Sequence, residues 1–334
     1  MRALKAAIAK VMTPRVLFGT SIAAALATWI MLLIGGTVNP TGSSLACTWQ
    51  ASDLLFPTCN GSAFPTMTGG VLYEHGHRLW GWLVGMTTVA TLIGAWARPD
   101  VARRTKWIAF GALWLVLGQG LLGGLTVKLG LNPYLSTGHL VLGYSFLSLM
   151  VVVAWRLAPS RSADPQRGMR LARGLIGVVA LVVFLQIVLG GIIRHFGAGL
   201  ACGADPIGCQ GAGLWPDQYQ QQLHMTHRFL GYTAALLVIV ASLWAARRAR
   251  SAGRPGVARL ALTPAVIVLA QVALGLLTVI TGEVAAVAFH TAFGGLLLAT
   301  LVALWTGFGP LGAPRIEARS GMAHPVASRR EATA

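Results

Sequence analysis

The stretch Glu74-His75-Gly76-His77-Arg78 sets a carboxylate, two imidazoles and a guanidinium at the start of a long apolar run. His224-Met225-Thr226-His227-Arg228 repeats much of that arrangement 150 residues later. Ionisable groups inside such runs are costly and mark functional sites. Two further histidines, His139 and His290, stand near the outer ends of two other apolar runs. The four fall into pairs, His77 with His139 and His227 with His290. At 1.5 Å per residue, each lies about 6–10 Å inside the outer boundary. Two imidazoles at one depth on facing helices provide the axial ligands of a haem iron, and helix-bundle cores are where such sites are built. Zinc fits less well, because no nearby Cys or carboxylate completes a tetrahedral set in the second half.

Arg78 and Arg228 directly follow two of the candidate ligands. Each either pairs with a haem propionate through charge-assisted bonds or snorkels to the interface. Glu74 lies one turn before His77 on the same helix face, and its counterpart in the second copy is His224. An acid beside one pair and not the other implies that one site does chemistry and the other serves it. In that reading Glu74 transfers protons or stabilises developing positive charge; the alternative is a boundary carboxylate in water. His75 points away from Glu74, has no counterpart and receives no role.

The elements that must position these groups are membrane helices. With 334 residues, 55% hydrophobic, 10% charged and a mean hydropathy of +0.67, the chain is not an ordinary water-soluble domain. Eight runs, near 16–36, 73–97, 107–127, 136–157, 171–193, 223–246, 260–281 and 284–307, approach the ~20 residues needed to cross a bilayer. In lipid they must be helices. The first run is long for a signal-peptide core and reads as a retained span. The formal charge of +17 is distributed unevenly: all basic residues but Arg78, Lys128, Arg194 and Arg228 fall in the N-terminal arm, alternate loops and the tail. The positive-inside rule makes that side cytoplasmic, with both termini inside the cytoplasmic (inner) membrane of a bacterium. The same distribution argues against a nucleic-acid partner and for attraction to anionic lipid. The polar, basic segment 308–334 reads as a disordered cytoplasmic tail.

The chain also repeats itself. GGTVNPTGSSLAC (Gly35 to Cys47) resembles GGIIRHFGAGLAC (Gly190 to Cys202), and QGLLGGLTV (Gln119 to Val127) resembles QVALGLLTV (Gln271 to Val279). With EHGHRLWG against HMTHRFLG, and His139 against His290, four ordered matches share offsets of 150 to 155. The predicted fold is all-α: eight transmembrane helices forming two tandem, pseudosymmetric four-helix bundles. The bundles span 1–157 and 171–307, joined by a cytoplasmic linker at 158–170. An even number of helices per copy makes the repeats parallel. Gly-Gly pairs at the outer ends of spans one, three and five are expected to allow close helix contact. All four cysteines lie in extracytoplasmic loops, which predicts one disulfide in each, Cys47–Cys59 and Cys202–Cys209. Their role is either to tether a loop over each bundle or to exchange with a redox partner.

Together EHGHRLWG, TGHLVLG, GGIIRHFGAGLAC, HMTHRFLG and AFHTAFGG resemble the haem A synthases of bacteria and mitochondria, over Gly35 to about Gly307. The resemblance implies an oxidoreductase of eight helices in two bundles, converting the C8 methyl of haem O to the formyl group of haem A for terminal oxidases. It implies that His227 and His290 hold a haem b cofactor, that His77, His139 and Arg78 face the substrate haem, and that Glu74 is the catalytic acid. Arg228 and Arg194 become propionate candidates, and Cys47–Cys59 matches a first-loop pair found in one class of members. Haem O synthase, terminal oxidase assembly factors and an electron donor that no motif identifies are the implied partners. Two features depart from the family: Asn39 stands where the first copy usually carries an arginine, and the first Cys-Cys interval is stretched to twelve. A di-haem cytochrome b linked to quinol would explain the four histidines equally well, but not Glu74 in one copy only. A parallel-repeat transporter would explain the architecture but not the histidines.

Overall fold

A computed structural model describes residues 2–48, 56–159 and 170–308. Most of the linker and the tail, with the disorder expected of it, lie outside the described residues. Among those described, the regular elements are nine helices: α1 Arg2–Val11, α2 Pro14–Val38, α3 Gly69–Ala97, α4 Arg103–Lys128, α5 Pro133–Leu157, α6 Arg170–His195, α7 Tyr219–Ser251, α8 Pro255–Thr281 and α9 Val284–Gly307. The eight long helices, α2 to α9, contain the eight apolar runs and are long and apolar enough to cross a membrane. The added element is α1, where the N-terminal arm forms a short helix packed on α3. It alternates Leu4 and Ile8 with Lys5 and Lys10, a pattern suited to lying at a membrane interface.

Local chemistry sets the boundaries. Thr13 accepts a bond from the Val16 amide at 3.3 Å, and Pro14 follows at the first helical position, so α2 starts there and not earlier. Asn132 caps α5 through bonds from the amides of Tyr134 and Leu135, again with a proline next. Gly282, at φ 65°, ends α8 in the left-handed conformation. At 33 residues, α7 is about 50 Å long and outruns a hydrocarbon core of roughly 30 Å. Its far end carries Arg247, Arg248 and Arg250.

Each of α2 to α5 packs on the next, and α5 returns to α2; α6 to α9 close in the same way, with α9 against α6. This pairing agrees with the two-bundle reading of the repeats. Contacts of α9 with α2 and α5, and of α5 with α6, join the halves. Lipid supplies no hydrophobic drive between helices, so close packing and hydrogen bonds must hold this seam. A Cβ added at Gly36 would lie 2.8 Å from the Ala288 Cα, so α2 and α9 touch backbone to backbone. Beside that contact the Trp29 indole donates to the Ala292 carbonyl at 2.8 Å, and the Tyr144 hydroxyl to the Thr291 carbonyl at 2.7 Å. Gly36→Val should therefore force the halves apart and destabilise the protein by about 1–3 kcal/mol. A lowered Tm in detergent checks this, and an unchanged Tm would show that the seam is not close-packed.

Candidate haem sites and their caps

The four histidines occupy matched places. His77 and His227 each stand eight residues after the first residue of α3 and α7, and His139 and His290 six after the first of α5 and α9. Each ring fills the space of a missing side chain on the preceding helix. A Cβ at Gly35 would lie 2.8 Å from Cε1 of His77, and one at Gly123 2.8 Å from that of His139. At Gly190 and Gly275 the distances to His227 and His290 are 3.1 and 3.0 Å. The glycine pairs thus do more than allow close helix contact: Gly36 serves that purpose, while Gly35, Gly123 and Gly190 seat imidazoles. The His77 and His139 ring centroids are 6.5 Å apart, leaving room for one metal atom bonded to both at about 2 Å.

The rings' other nitrogens decide which atom can ligate. Nδ1 of His139 lies 3.1 Å from the Gln119 carbonyl, and Nδ1 of His290 3.1 Å from that of Gln271. A carbonyl only accepts, so Nδ1 carries the proton and Nε2 keeps its lone pair. Nδ1 of His227 faces a donor instead, the Gln186 amide nitrogen at 2.9 Å, whereas among the described residues Nδ1 of His77 is buried with no hydrogen-bond partner. Among the described residues no three His, Cys, Asp or Glu side chains converge as a metal-ion site. Each half offers two imidazoles, which suits a metal that brings its own equatorial donors.

A cavity of about 480 Å³ in the second half is lined by His227, His290 and apolar side chains that include Val183, Val268 and Leu297. Asn39, Pro40, Leu140 and Tyr144 of the first half complete its wall, and His224, Arg194 and Arg228 line it near the outer helix ends. Among the described residues, Nε of Arg194, one terminal nitrogen of Arg228 and Nδ1 of His224 are buried without hydrogen-bond partners. Buried polar nitrogens of this kind are normally paired, and among the described residues no carboxylate lines the cavity. An apolar volume in the ligand range, two imidazoles and a cationic rim fit a haem with its two carboxylates.

Both predicted disulfides are formed. In each half the arginine after the candidate ligand grips the loop. Arg78 donates to the carbonyl of Thr58 at 2.9 Å, and Arg228 to that of Gly208 at 2.8 Å, in each case the residue before the second cysteine. Arg78 also donates to the Cys47 carbonyl and pairs with Glu74 at 2.8 Å, so it does not snorkel freely. The other Glu74 oxygen accepts from the Cys47 amide at 2.8 Å. At 4% exposure, Glu74 is not a boundary carboxylate in water. His75 is buried too, with Nε2 3.3 Å from the Ala63 carbonyl, which ties the same loop to α3.

The fold and its paired histidines define a multi-pass, all-helical membrane protein with a matched two-imidazole site in each half. Residues 17–302 match the family model of the cytochrome oxidase assembly protein. A haem A synthase of Alkalihalophilus pseudofirmus is 30% identical over 69% of this chain and 76% of its own length. One from Halalkalibacterium halodurans is 28% identical over 81% and 90%, and one from Symbiobacterium thermophilum 32% identical over 64% and 69%. The chain belongs to the haem A synthase family.

The second cap has its own lock. Asp205 accepts from the amides of Ile207 and Gly208 at 3.0 and 2.8 Å, and these bonds hold its carboxyl below the usual 3.8. A depressed folded pKa stabilises the turn above the unfolded value and loses that contribution as pH falls through the folded one. Hydrogen exchange at Gly208 should therefore stay slow, after correction for intrinsic rates, until the pH is below the ordinary aspartate range. Asp205→Asn should abolish this pH dependence; an unaltered profile in that variant would exclude the carboxylate as the lock.

Proposed function

We propose that this chain oxidises the C8 methyl of haem O to a formyl group at the His77–His139 pair, and keeps haem b at the His227–His290 pair. The observation that carries the division is the aligned position where the first half has Glu74 and the second His224. Around the second pair the buried guanidinium nitrogens of Arg194 and Arg228 await an anion, as a permanently bound dicarboxylate requires. Near the first, a carboxylate stands at the matching place. When bound, haem b supplies one-electron transfer.

The chain's own residues account for the remaining roles. His77 and His139 hold the substrate by its iron and so fix the depth and plane of its ring. Methyl to hydroxymethyl and hydroxymethyl to geminal diol are each two-electron oxidations that add one oxygen, so an external oxidant must take up four electrons in all. The diol then loses water to give the formyl group. Glu74, held by Arg78 and the Cys47 amide, is placed to take a proton or stabilise positive charge on the substrate. Because Arg78 is committed to Glu74 and the cap, we assign it the positioning of Glu74 and not a propionate contact. The disulfide-bonded caps shield each site from water. Haem O would come from a haem O synthase, and haem A would pass to terminal oxidase assembly. With the basic loops inside a bacterial inner membrane, both caps face the oxidising side.

Membranes expressing the chain beside a haem O source should yield haem A on extraction and chromatography. Glu74→Ala should lower that yield by about 10²–10⁴-fold while keeping haem b. Haem b alone from the unaltered chain would give a di-haem cytochrome instead. A topology reporter after Arg104 or Arg250 should read as cytoplasmic and one near Pro216 as external; reversal at either would invert the orientation.

A further inference from the structure

The repeat brings together four side chains that the histidines alone do not reveal. Four residues before each ring-seating glycine stands Met31, Gln119, Gln186 or Gln271. Each reaches a glycine on the helix that carries the histidine. A Cβ at Gly143 or Gly294 would lie 3.2 or 3.3 Å from the amide nitrogen of Gln119 or Gln271. At Gly231 it would lie 3.1 Å from that of Gln186, and at Gly81 3.0 Å from the Met31 methyl. Three amides and one thioether thus occupy equivalent notches.

The exception falls where it affects ligation. His139 and His290 already have backbone acceptors for Nδ1, so their glutamines are not needed to orient them. His227 and His77 have no such carbonyl. Nδ1 of His227 is 2.9 Å from the Gln186 amide nitrogen, which also donates to the His227 carbonyl at 2.7 Å. The oxygen of that amide is buried without a partner. A ring that ligates through Nε2 must carry its proton on Nδ1, and this new donor needs an acceptor. Exchanging the two amide atoms in place would set oxygen against the His227 carbonyl oxygen. A pivot that brings the amide oxygen to Nδ1–H while its nitrogen stays on that carbonyl gives all three groups a partner. The Met31 methyl offers His77 nothing comparable, and Nδ1 of His77 stays orphaned.

We infer that Gln186 is the positioning residue that makes His227 a lasting metal ligand, and that Met31 at the equivalent notch keeps His77 an exchangeable one. This rests on the assignment of haem b to the second half. It goes further by giving the chain a physical reason to retain one haem and release the other. An acceptor on Nδ1–H orients the ring and raises its basicity, strengthening the bond from Nε2. A ligand to a substrate that must leave is better without it.

The test uses the purified full-length holoprotein. Transfer of haem b to excess apomyoglobin should be about 10- to 100-fold faster from Gln186→Met than from the unaltered protein. Gln186→Glu, which keeps an acceptor, should restore slow transfer. The reduction potential of the retained haem should rise in the order Glu, Gln, Met, because a stronger acceptor favours the ferric state; a merely space-filling role predicts no such order. Met31→Gln tests the same claim without touching the cofactor half: haem loaded at the His77–His139 pair should leave about 10- to 100-fold more slowly. Unchanged transfer and potential in the Gln186 variants, with unchanged release from Met31→Gln, would overturn the inference. Full haem b retention in His227→Ala would overturn the assignment beneath it, so the two failures are distinguishable.

Discussion

The structure depends on fitting an imidazole into hydrocarbon between two helices without leaving a gap or forcing them apart. The solution is the same four times: the ring lies where a glycine on the preceding helix has no side chain. This fixes the depth of each histidine, the register of α2 on α3 and of α4 on α5, and the same relations in the second half. It also explains why the glycine pairs sit at the outer ends of α2, α4 and α6. One glycine seats a ring, and at α2 its neighbour brings the backbone against α9. A side chain at any seat would meet an imidazole first.

The caps obey a second shared rule with one consequential difference. In both halves the arginine after the seated histidine holds the carbonyl before the loop's second cysteine. In the first half that arginine is neutralised by Glu74, which in turn takes the Cys47 amide. In the second, His224 replaces the acid, and among the described residues a nitrogen of the arginine is left without a partner. One substitution thus turns a self-satisfied ion pair into a cationic rim open to an anion. The seam between the halves places Tyr144 and Trp29 against the turn of α9 that follows His290. The two sites are therefore held in a fixed mutual relation by hydrogen bonds strengthened in a dry interior.

Much of this was legible in the sequence because membrane helices and tandem repeats leave strong periodic traces. Eight apolar runs gave the spans, and constant offsets gave the two-fold arrangement and the histidine pairs. The loop disulfides followed from compartment and parity. Other features were hidden for physical reasons. The grip of Arg78 and Arg228 on the loops depends on backbone carbonyls, which carry no sequence signature. A boundary carboxylate stayed open as the alternative for Glu74 because depth along a helix does not reveal what folds over its end. The glutamines were within reach: the offset of 155 that aligns Gly35 with Gly190 also aligns Met31 with Gln186. Their meaning emerged only when Nδ1 of each ring could be followed to its partner or to none. The helix α1 was missed because ten residues with a short apolar stripe do not register as a span.

The central claim is that the two histidine pairs hold different haems. It is tested most directly by purifying two double variants, His227→Ala with His290→Ala and His77→Ala with His139→Ala, and identifying the haems each retains by extraction and chromatography. The account predicts that the first variant loses haem b, and that the second keeps haem b but carries neither haem O nor haem A. Loss of haem b from the second variant, with its retention in the first, would contradict the account.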